Sequence, residues 1–281
     1  MEKTMIAAGC CLLALCGLLT ACRMAGEDSA PLKQELAGGQ AQALFAASPQ
    51  ASAVVSGDST GEATGSTLRV LSFNVRTWTR DLDANSDVFW RTRMEAMERM
   101  IEDLDPDILC FQEMLFPATR YVPDGYRRVS GGVNISHPIF VRRGVKWQDH
   151  DVAVRWEACT VDGVRIINVH SSWDGEITAR TVEQVNAQLT DCEMALACGD
   201  WNVRLAALQK AGLQMESARV LLGVPEDDTF ENFTRPQESH GPIDHFFVRG
   251  LQPVSYRMII DPYGSSKMSD HFPIVLDICK Q

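Results

Sequence analysis

Short apolar segments that run into polar, chemically reactive side chains constrain this sequence more than any other feature. The reactive positions are Asn74, Glu113, His170, Asp200, Asn202, Asp244, His245, Asp270 and His271. One such junction is typical of an ordinary turn, because Asn and Asp often follow strands. Repetition along the chain makes turn chemistry a poor explanation. If the segment ends lie on one edge of a sheet, they form a cluster of polar groups that folding alone does not require.

Apolar runs of strand length alternate with stretches of helical spacing, which predicts a mixed fold. Strands are predicted at residues 68–75, 108–111, 138–141, 153–156, 164–169, 194–198, 243–248 and 273–278. A helix is predicted by five apolar residues at helical spacing, Trp90, Met94, Met97, Ile101 and Leu104. Two more helices are predicted at 182–192 and 205–211. Because strands dominate, we expect packed sheets with helices outside them.

The first 22 residues have the pattern of an export signal. Glu2 and Lys3 precede an apolar run that is shorter than the about 20 residues needed to span a membrane. The run ends in Leu-Thr-Ala-Cys, which resembles the bacterial lipobox, so Cys22 is the expected site of lipidation. An ordinary signal peptide or a short anchor is the alternative. Arg23 after the cysteine resembles outer-membrane sorting, so we expect a protein anchored by lipid in the bacterial cell envelope.

The domain organisation follows from composition. Residues 1–22 are the predicted lipoprotein signal peptide, and residues 23–67, rich in Ala, Gly, Ser and Gln, are a predicted flexible tether. The folded domain is predicted to span residues 68–281. Of the formal charge of −11, the leader contributes nothing and the tether −3, which leaves −8 for the domain. That charge disfavours nucleic acid as a partner, because phosphate binding draws on clustered Lys and Arg.

Nine cysteines divide between the leader and the domain. The domain holds five, Cys110, Cys159, Cys192, Cys198 and Cys279. Because five is an odd number, at least one thiol stays unpaired in a monomer. A monomer is the expected oligomeric state. Whether Cys192 pairs with Cys198 is left open by the sequence. None of these cysteines has the C-x-x-C spacing of a zinc site.

Six ordered motifs carry a family resemblance. They are VLSFNVR, DPDILCFQEM, INVH, CGDWN, IDHFFV and SDHFPI. In this order and spacing they resemble the endonuclease/exonuclease/phosphatase superfamily, which includes pancreatic deoxyribonuclease, abasic-site endonucleases, sphingomyelinases and inositol polyphosphate phosphatases. The resemblance covers residues 68–281. It implies an α+β fold, a four-layered α/β/β/α sandwich with two packed, mostly antiparallel sheets and the site at one sheet edge.

Three residues offer hard oxygen ligands for a divalent ion. The carboxylates of Glu113 and Asp270 and the carboxamide of Asn74 suit Mg²⁺ or Mn²⁺ better than zinc. The resemblance assigns Asn74 and Glu113 to the metal and puts Asp270 close by.

The remaining reactive residues have the chemistry of phosphate-ester cleavage, which needs an activated water and neutralised phosphate oxygens. By the resemblance, Asp200 orients or deprotonates the water, and Asn202 holds the water or a phosphate oxygen. The resemblance also makes Asp244 the residue that orients His271, with His170 as a second phosphate contact. His245 follows Asp244 in a strand and should point to the other face, so it is expected to be structural.

We therefore expect a metal-dependent phosphoesterase that hydrolyses a lipid, sugar or nucleotide phosphodiester by in-line attack of water. A nuclease acting on DNA or RNA is one alternative, with local pairs such as Arg76 and Arg80 gripping the backbone. A catalytically silent envelope binding module is the other, since Val133 or Asn134 stands where the family often has a Glu supporting the histidine at position 170. The chain also looks trimmed between 142 and 164, a region that selects substrate in relatives.

Overall fold

The computed structural model describes residues 67–115, 121–130, 135–231, 233 and 241–280. The strands are β1 (Thr67–Asn74), β2 (Ile108–Gln112), β3 (Tyr126–Arg128), β4 (Ile139–Arg142), β5 (Trp147–Val152), β6 (Trp156–Val161), β7 (Val164–His170), β8 (Ala195–Asp200), β9 (Glu216–Ser217), β10 (Asp244–Arg249), β11 (Leu251–Met258) and β12 (Ile274–Lys280). The helices are α1 (Trp90–Leu104), α2 (Gly175–Ala187), α3 (Leu205–Lys210) and α4 (Ala218–Leu221), with a 3-10 turn at Trp78–Arg80.

The strands form two six-stranded sheets. The first has the order β11-β12-β1-β2-β4-β3 and the second the order β5-β6-β7-β8-β10-β9. Each sheet has one parallel pair, β1 with β2 and β7 with β8. The other neighbours are antiparallel. The prediction of two mostly antiparallel sheets is therefore confirmed.

Three apolar layers separate the sheets and helices. Side chains of both sheets, such as Val70, Leu276 and Leu196, meet in the central layer. A second layer joins α1 to the first sheet, and a third joins α2 and α3 to the second sheet. The α/β/β/α order predicted from the resemblance is the order observed. Each sheet is buried on both faces, and this explains why the sequences of β1, β2, β7 and β8 are nearly continuous apolar runs.

Each parallel pair is joined through a helix, and this brings the reactive strand ends together. β1 and β2 are connected through α1, and β7 and β8 through α2. Parallel strands end at the same edge, and their antiparallel partners begin there. Asn74 thus lies beside Gln112, His170 beside Asp200, and Asp244 opposite Asp200. We call this edge, with the segment 268–273 that precedes β12, the rim.

Buried amides fasten the two sheets below the rim. Gln112 Nε2 donates to Asn168 Oδ1 at 2.7 Å, and Asn168 Nδ2 donates to the Phe111 carbonyl at 2.8 Å. Both side chains are fully buried. The Asn168 amide is hydrogen-bonded at both its oxygen and its nitrogen, whereas Gln112 Oε1 has no hydrogen-bond partner among the described residues. A shift of either strand would leave the Asn168 amide unpaired as well. The contact therefore holds the ends of β2 and β7 in register with each other.

Most predicted elements are present, with changes at their edges. α1 ends at Leu104, and Asp105 caps it in the left-handed region. β1 begins at Thr67, one residue before the predicted domain start. The second helix is shifted towards the N-terminus and ends at Ala187. The strand predicted at 153–156 is wrong: most of it is the turn between β5 and β6, where Val154 is 86% exposed.

Several predictions fall partly or wholly outside the described residues. They are the leader, the tether up to residue 66, the lipidation of Cys22, and the positions Val133 and Asn134. All five domain cysteines are free thiols, so the Cys192–Cys198 pair left open by the sequence is not formed. Within the described ranges, no helix has the length and apolar character required to cross a membrane.

Candidate active site

Asp200 lies at the centre of the rim, and several predicted site residues surround it. Asn74 Nδ2 donates to Asp200 Oδ2 at 3.0 Å, which joins the two sheets. The backbone nitrogen of Asn202 donates to Asp200 Oδ1 at 2.8 Å. His170 Nε2 and His271 Nε2 lie 3.7 and 3.8 Å from Asp200 Oδ2. Four predicted site residues, three of them from motifs other than CGDWN, therefore converge on one buried carboxylate.

Gly199 allows Asp200 to take this position. Its φ of +134° is unusual for a residue with a side chain, and a Cβ there would stand 1.9 Å from the Val169 carbonyl oxygen. β8 therefore approaches β7 more closely than a side chain at position 199 would permit. The CGDWN motif needs its glycine for this close contact, and the next residue is the central carboxylate.

His271 and Asp244 form a buried hydrogen-bonded pair. His271 Nδ1 donates to Asp244 Oδ2 at 2.9 Å, as the sequence analysis expected. Asp244 lies at the start of β10, where Thr229 Oγ1 accepts hydrogen bonds from the backbone nitrogens of Ile243 and Asp244. The Phe230 ring covers the imidazole, with ring centroids 4.9 Å apart. The pair is thereby fixed in one orientation, with Nε2 left for the rim.

The surrounding acids determine the charge of His271. Burial alone would lower its pKa, but the carboxylates of Asp244 and Asp200 outweigh burial and raise the pKa to about 10. Burial also raises the pKa of Asp244, against the opposing effect of His271. We assign the shared proton to the imidazole, because two carboxylates face it and only one imidazole is bonded to Asp244. His271 is then a cation at neutral pH, suited to contact a phosphate oxygen.

Glu113 and Asn74 fit a divalent ion. Glu113 follows β2 with a φ of +60°, a backbone conformation rare for a residue with a side chain. Its Oε2 accepts a hydrogen bond from the backbone nitrogen of Thr77 at 3.0 Å, and no Lys, Arg or His of the described chain pairs with it. From the described residues, Asn74 Oδ1 accepts one hydrogen bond, from the backbone nitrogen of Arg76 at 3.0 Å. Hard oxygen donors with free lone pairs are the ligands Mg²⁺ prefers.

Arg76, which the sequence suggested only as a contact to a nucleic-acid backbone, lies at the rim beside Asp270. Its Nη1 lies 2.6 Å from Asp270 Oδ2 and its Nε 3.0 Å from Asp81 Oδ2. Arg93 Nη2 also pairs with Asp81, at 2.7 Å. We call these four residues the arginine cluster. No sequence signal pointed to it, because Asp81 and Asp270 lie 5 and 194 residues from Arg76 along the chain.

The arginine cluster changes what is expected of Asp270. By the resemblance this carboxylate is expected to lie close to the metal, and among the described residues it pairs with Arg76. Its other oxygen, Oδ1, accepts a hydrogen bond from Ser269 Oγ at 3.3 Å. The metal-binding roles of Asn74, Glu113 and Asp270 remain predictions.

Asp200, Asp244 and His271 offer a different set of metal ligands. One ligand atom from each lies within 4.8 Å of the others. His271 Nδ1 and Asp244 Oδ2 are already bonded to each other, so an ion at this cluster would be left with His271 Nε2 and the remaining carboxylate oxygens. An imidazolium beside two carboxylates offsets one of their two negative charges without a metal.

His245 has the structural role that strand alternation predicted. It is buried, and its Nε2 lies 3.0 Å from the Val203 carbonyl oxygen on the side of β10 away from Asp200. Burial lowers its pKa to about 4, so the ring is neutral at pH 7.

Comparisons with known proteins agree with this fold. The sequence model of the Endonuclease/Exonuclease/phosphatase family matches residues 71–271. D. rerio TDP2, solved with a single-strand DNA product, is 18% identical over 76% of this chain and 99% of its own, with a TM-score of 0.61. Bacteroides thetaiotaomicron mannosyl-6-phosphatase Bt3783 is 20% identical over 75% and 99%, with a TM-score of 0.56.

An AP endonuclease from Archaeoglobus fulgidus is 19% identical over 74% of this chain and 98% of its own, with a TM-score of 0.58. At these identities the likeness to solved structures establishes a shared fold and leaves the substrate undetermined. No curated protein sequence matches the chain at a significant level.

Proposed function

Because the chain belongs to the endonuclease/exonuclease/phosphatase family, we propose that it is a divalent-metal-dependent phosphoesterase that uses water to hydrolyse phosphodiester bonds. The observation that carries the proposal is the convergence of Asn74, His170 and His271 on Asp200 at the junction of the two sheets. A structural role alone does not require two imidazoles and a carboxylate at one partly open edge.

His271 and His170 are the groups that contact the phosphate. The imidazolium of His271 presents Nε2 to the rim while Asp244 holds Nδ1. A charged hydrogen-bond donor fixed before the reaction stabilises the charge that develops on phosphate oxygens. His170 is about one-fifth exposed and approaches Asp200 from the neighbouring strand, so it contacts the same centre from the other side.

Asp200 is the group that handles the attacking water. Its two oxygens are oriented by Asn74 Nδ2 and by the backbone nitrogen of Asn202, which itself has a φ of +57°. A carboxylate held in this way can orient a water and accept its proton as the bond to phosphorus forms. By the family resemblance, the Asn202 side chain would hydrogen-bond the water or a phosphate oxygen.

Glu113 and Asn74 would hold the ion, Mg²⁺ or Mn²⁺ by their donor chemistry. When bound, such an ion neutralises phosphate oxygens as a Lewis acid. The hydrogen bonds from Thr77 and Arg76 to these two side chains fix their free lone pairs in place. The two histidines contact the phosphate in this proposal and do not serve as metal ligands.

Small or lipid-borne esters fit this chain better than a nucleic-acid strand. The formal charge of −8 from residue 68 onward repels a polyanion over long range. Arg76 is also unavailable for gripping a DNA backbone, since its guanidinium is bonded to Asp81 and Asp270. A nuclease is the second candidate function, because D. rerio TDP2 and the Archaeoglobus fulgidus AP endonuclease share the fold.

Hydrolysis of bis(p-nitrophenyl) phosphate by the purified protein tests the proposal. We expect activity with Mg²⁺, loss of activity in EDTA, and a lower rate with p-nitrophenyl phosphate. Asp200→Asn and His271→Ala should each reduce kcat by about 10²-fold or more. The exposed Asp191→Asn is the matched control and should act like the wild type. Full activity of both site variants, with unchanged melting temperatures, would overturn the proposal.

We also propose that Cys22 anchors the protein in the bacterial cell envelope, on the outer membrane. The support is the lipobox-like Leu19-Thr20-Ala21-Cys22 and the tether-like composition of residues 23–66. The full chain expressed in a bacterium should partition into detergent and incorporate labelled palmitate. Cys22→Ser should remove the label, and a labelled Cys22→Ser protein would contradict the assignment.

A further inference from the structure

Every nitrogen of the Arg76 guanidinium is bonded to a carboxylate. Nη1 bonds Asp270 Oδ2 at 2.6 Å, Nε bonds Asp81 Oδ2 at 3.0 Å, and Nη2 lies 3.4 Å from Asp81 Oδ1. The Phe233 ring covers the group, with the guanidinium carbon 4.7 Å from its centroid. The side chain is 17% exposed. Arg76 is therefore built into the rim and held from three directions.

The main chain of Arg76 is fixed as firmly as its side chain. Its φ is +50°, and its backbone nitrogen donates to Asn74 Oδ1. On the far side of the arginine cluster, Arg93 Nη1 donates to the carbonyls of Val75 and Met268 at 2.9 and 3.0 Å. Arg93 thus connects the end of β1 to the segment before Asp270, and Arg76 connects the same two parts of the chain through Asp270.

The charges of the arginine cluster cancel. Two guanidiniums face two carboxylates, and arginine does not lose its proton in proteins. Asp270 is therefore neutralised by the chain itself. A divalent ion bound to Asp270 would have to expel Arg76, which would leave Asp81 with one partner and place three positive charges in a small, partly buried space.

The other acids of the rim differ from Asp270. Asp200 and Asp244 face His271, and Glu113 has no cationic partner in the described chain. Only Glu113, with Asn74 beside it, combines a negative charge with free oxygen lone pairs. The rim thus offers one place for a divalent ion and one place already filled by a guanidinium.

Building on the proposed function, we propose that Arg76 is a built-in cation that occupies the position a second metal would take at Asp270, so that the site binds a single divalent ion. Two-metal sites place both ions on shared carboxylates about 3.5–4 Å apart. Here Arg76 serves as a positioning residue. Its side chain holds Asp270, and its backbone nitrogen orients Asn74 Oδ1 by a hydrogen bond.

Metal stoichiometry tests this inference without relying on activity. Mn²⁺ binding to the purified full chain, followed by electron paramagnetic resonance and calorimetry, should saturate at one ion per chain. Arg76→Met frees Asp270 from its cation and should raise the stoichiometry to two. Arg76→Lys keeps the charge and should remain at one. Arg180→Met, which removes an exposed arginine on α2, is the matched control and should also remain at one.

Two results would overturn the inference. One is the binding of two ions by the wild type, a measurement that does not depend on the stability of any variant. The other is an Arg76→Met protein that melts cooperatively and still binds one ion. Hydrolysis by a wild type with two ions would leave the proposed function intact and reject only the inference. A wild type that binds no Mn²⁺ and hydrolyses no ester would reject both.

Discussion

At the residue scale, Asp244 can be tested apart from the groups proposed to contact the phosphate. Asp244 contacts His271 Nδ1 and no other side chain proposed to meet the phosphate. Three carboxylates raise the pKa of His271, those of Asp244, Asp200 and Asp270, and Asp244 has the largest effect. Asp244→Asn removes that charge, so the pKa of His271 should fall. We expect kcat to fall by about 10²-fold with KM nearly unchanged.

Kinetics with bis(p-nitrophenyl) phosphate and an NMR titration of the His271 ring measure both effects. If kcat at pH 7 is retained although the imidazole pKa has fallen below 7, the charge of His271 does not contribute to catalysis.

Gly199 provides a second test at this scale, of stability rather than activity. Gly199→Ala puts a Cβ 1.9 Å from a backbone oxygen of β7, and backbone atoms cannot move aside as a flexible side chain can. We expect the free energy of unfolding to fall by about 3 kcal/mol or more.

Urea denaturation measures this loss. Gly175→Ala is the control, because an added Cβ there meets no atom within 4 Å and the backbone is helical. Equal stability of the two variants would show that β8 does not approach β7 as closely as described.

The sequence was enough to find the polar residues that meet at the rim, including the His271–Asp244 pair, but not Arg76, which holds Asp270. Asp200 and His271 stood out because each follows or precedes an apolar strand, a relation visible in the chain itself. Arg76 could not be found in this way, because only the folded sheet brings it to Asp270. An arginine after a strand has no sequence signature that separates a buried ion pair from a solvated surface group.

At the scale of elements, most of the missed strands lie at sheet edges, but the interior strand β6 was also missed, apart from Trp156. β5 has the sequence Trp-Gln-Asp-His-Asp-Val and is largely exposed, so no apolar run marked it. β11 was missed because Pro253 interrupts it, and proline is confined to edge strands and bulges. Interior strands such as β1 and β8 were predicted well because burial on both faces requires continuous apolar sequence.

An ion pair across three strands gives a prediction for this scale. Arg69 on β1 bonds Asp277 on β12 at 2.7 Å, and Ser255 on β11 donates to the same carboxylate at 2.8 Å. Although burial raises the pKa of Asp277, these bonds outweigh it and lower the pKa overall. Arg69 is 37% exposed, so solvent weakens the pair. We expect Asp277→Asn to cost about 1 kcal/mol at pH 7.

The pH dependence has a definite sign. A carboxylate whose pKa is lowered by folding stabilises the protein above its unfolded pKa, near 3.9, and loses this effect as pH falls through its folded value. The difference between Asp277→Asn and the wild type in urea denaturation should therefore shrink below about pH 4. The exposed Asp191→Asn is the control. A difference that grows at low pH would contradict the assignment.

At the scale of the whole molecule, the two sheets are built in nearly the same way. Each sheet contains one parallel pair joined through a helix, and the four ends of these pairs meet at the rim. This arrangement explains why motifs from distant parts of the chain reach one centre. The layer order was predictable from the family resemblance, whereas the pairing of the sheets at Asn74 and Asp200 required the structure.

A crystal grown with Mn²⁺ and inorganic phosphate tests the central claim most directly. Anomalous scattering locates the manganese independently of any assumed ligand. The account predicts one peak within bonding distance of Glu113 and Asn74, with phosphate hydrogen-bonded to His271 Nε2 and His170. Manganese between Asp200, Asp244 and His271, or phosphate bound away from both histidines, would contradict it.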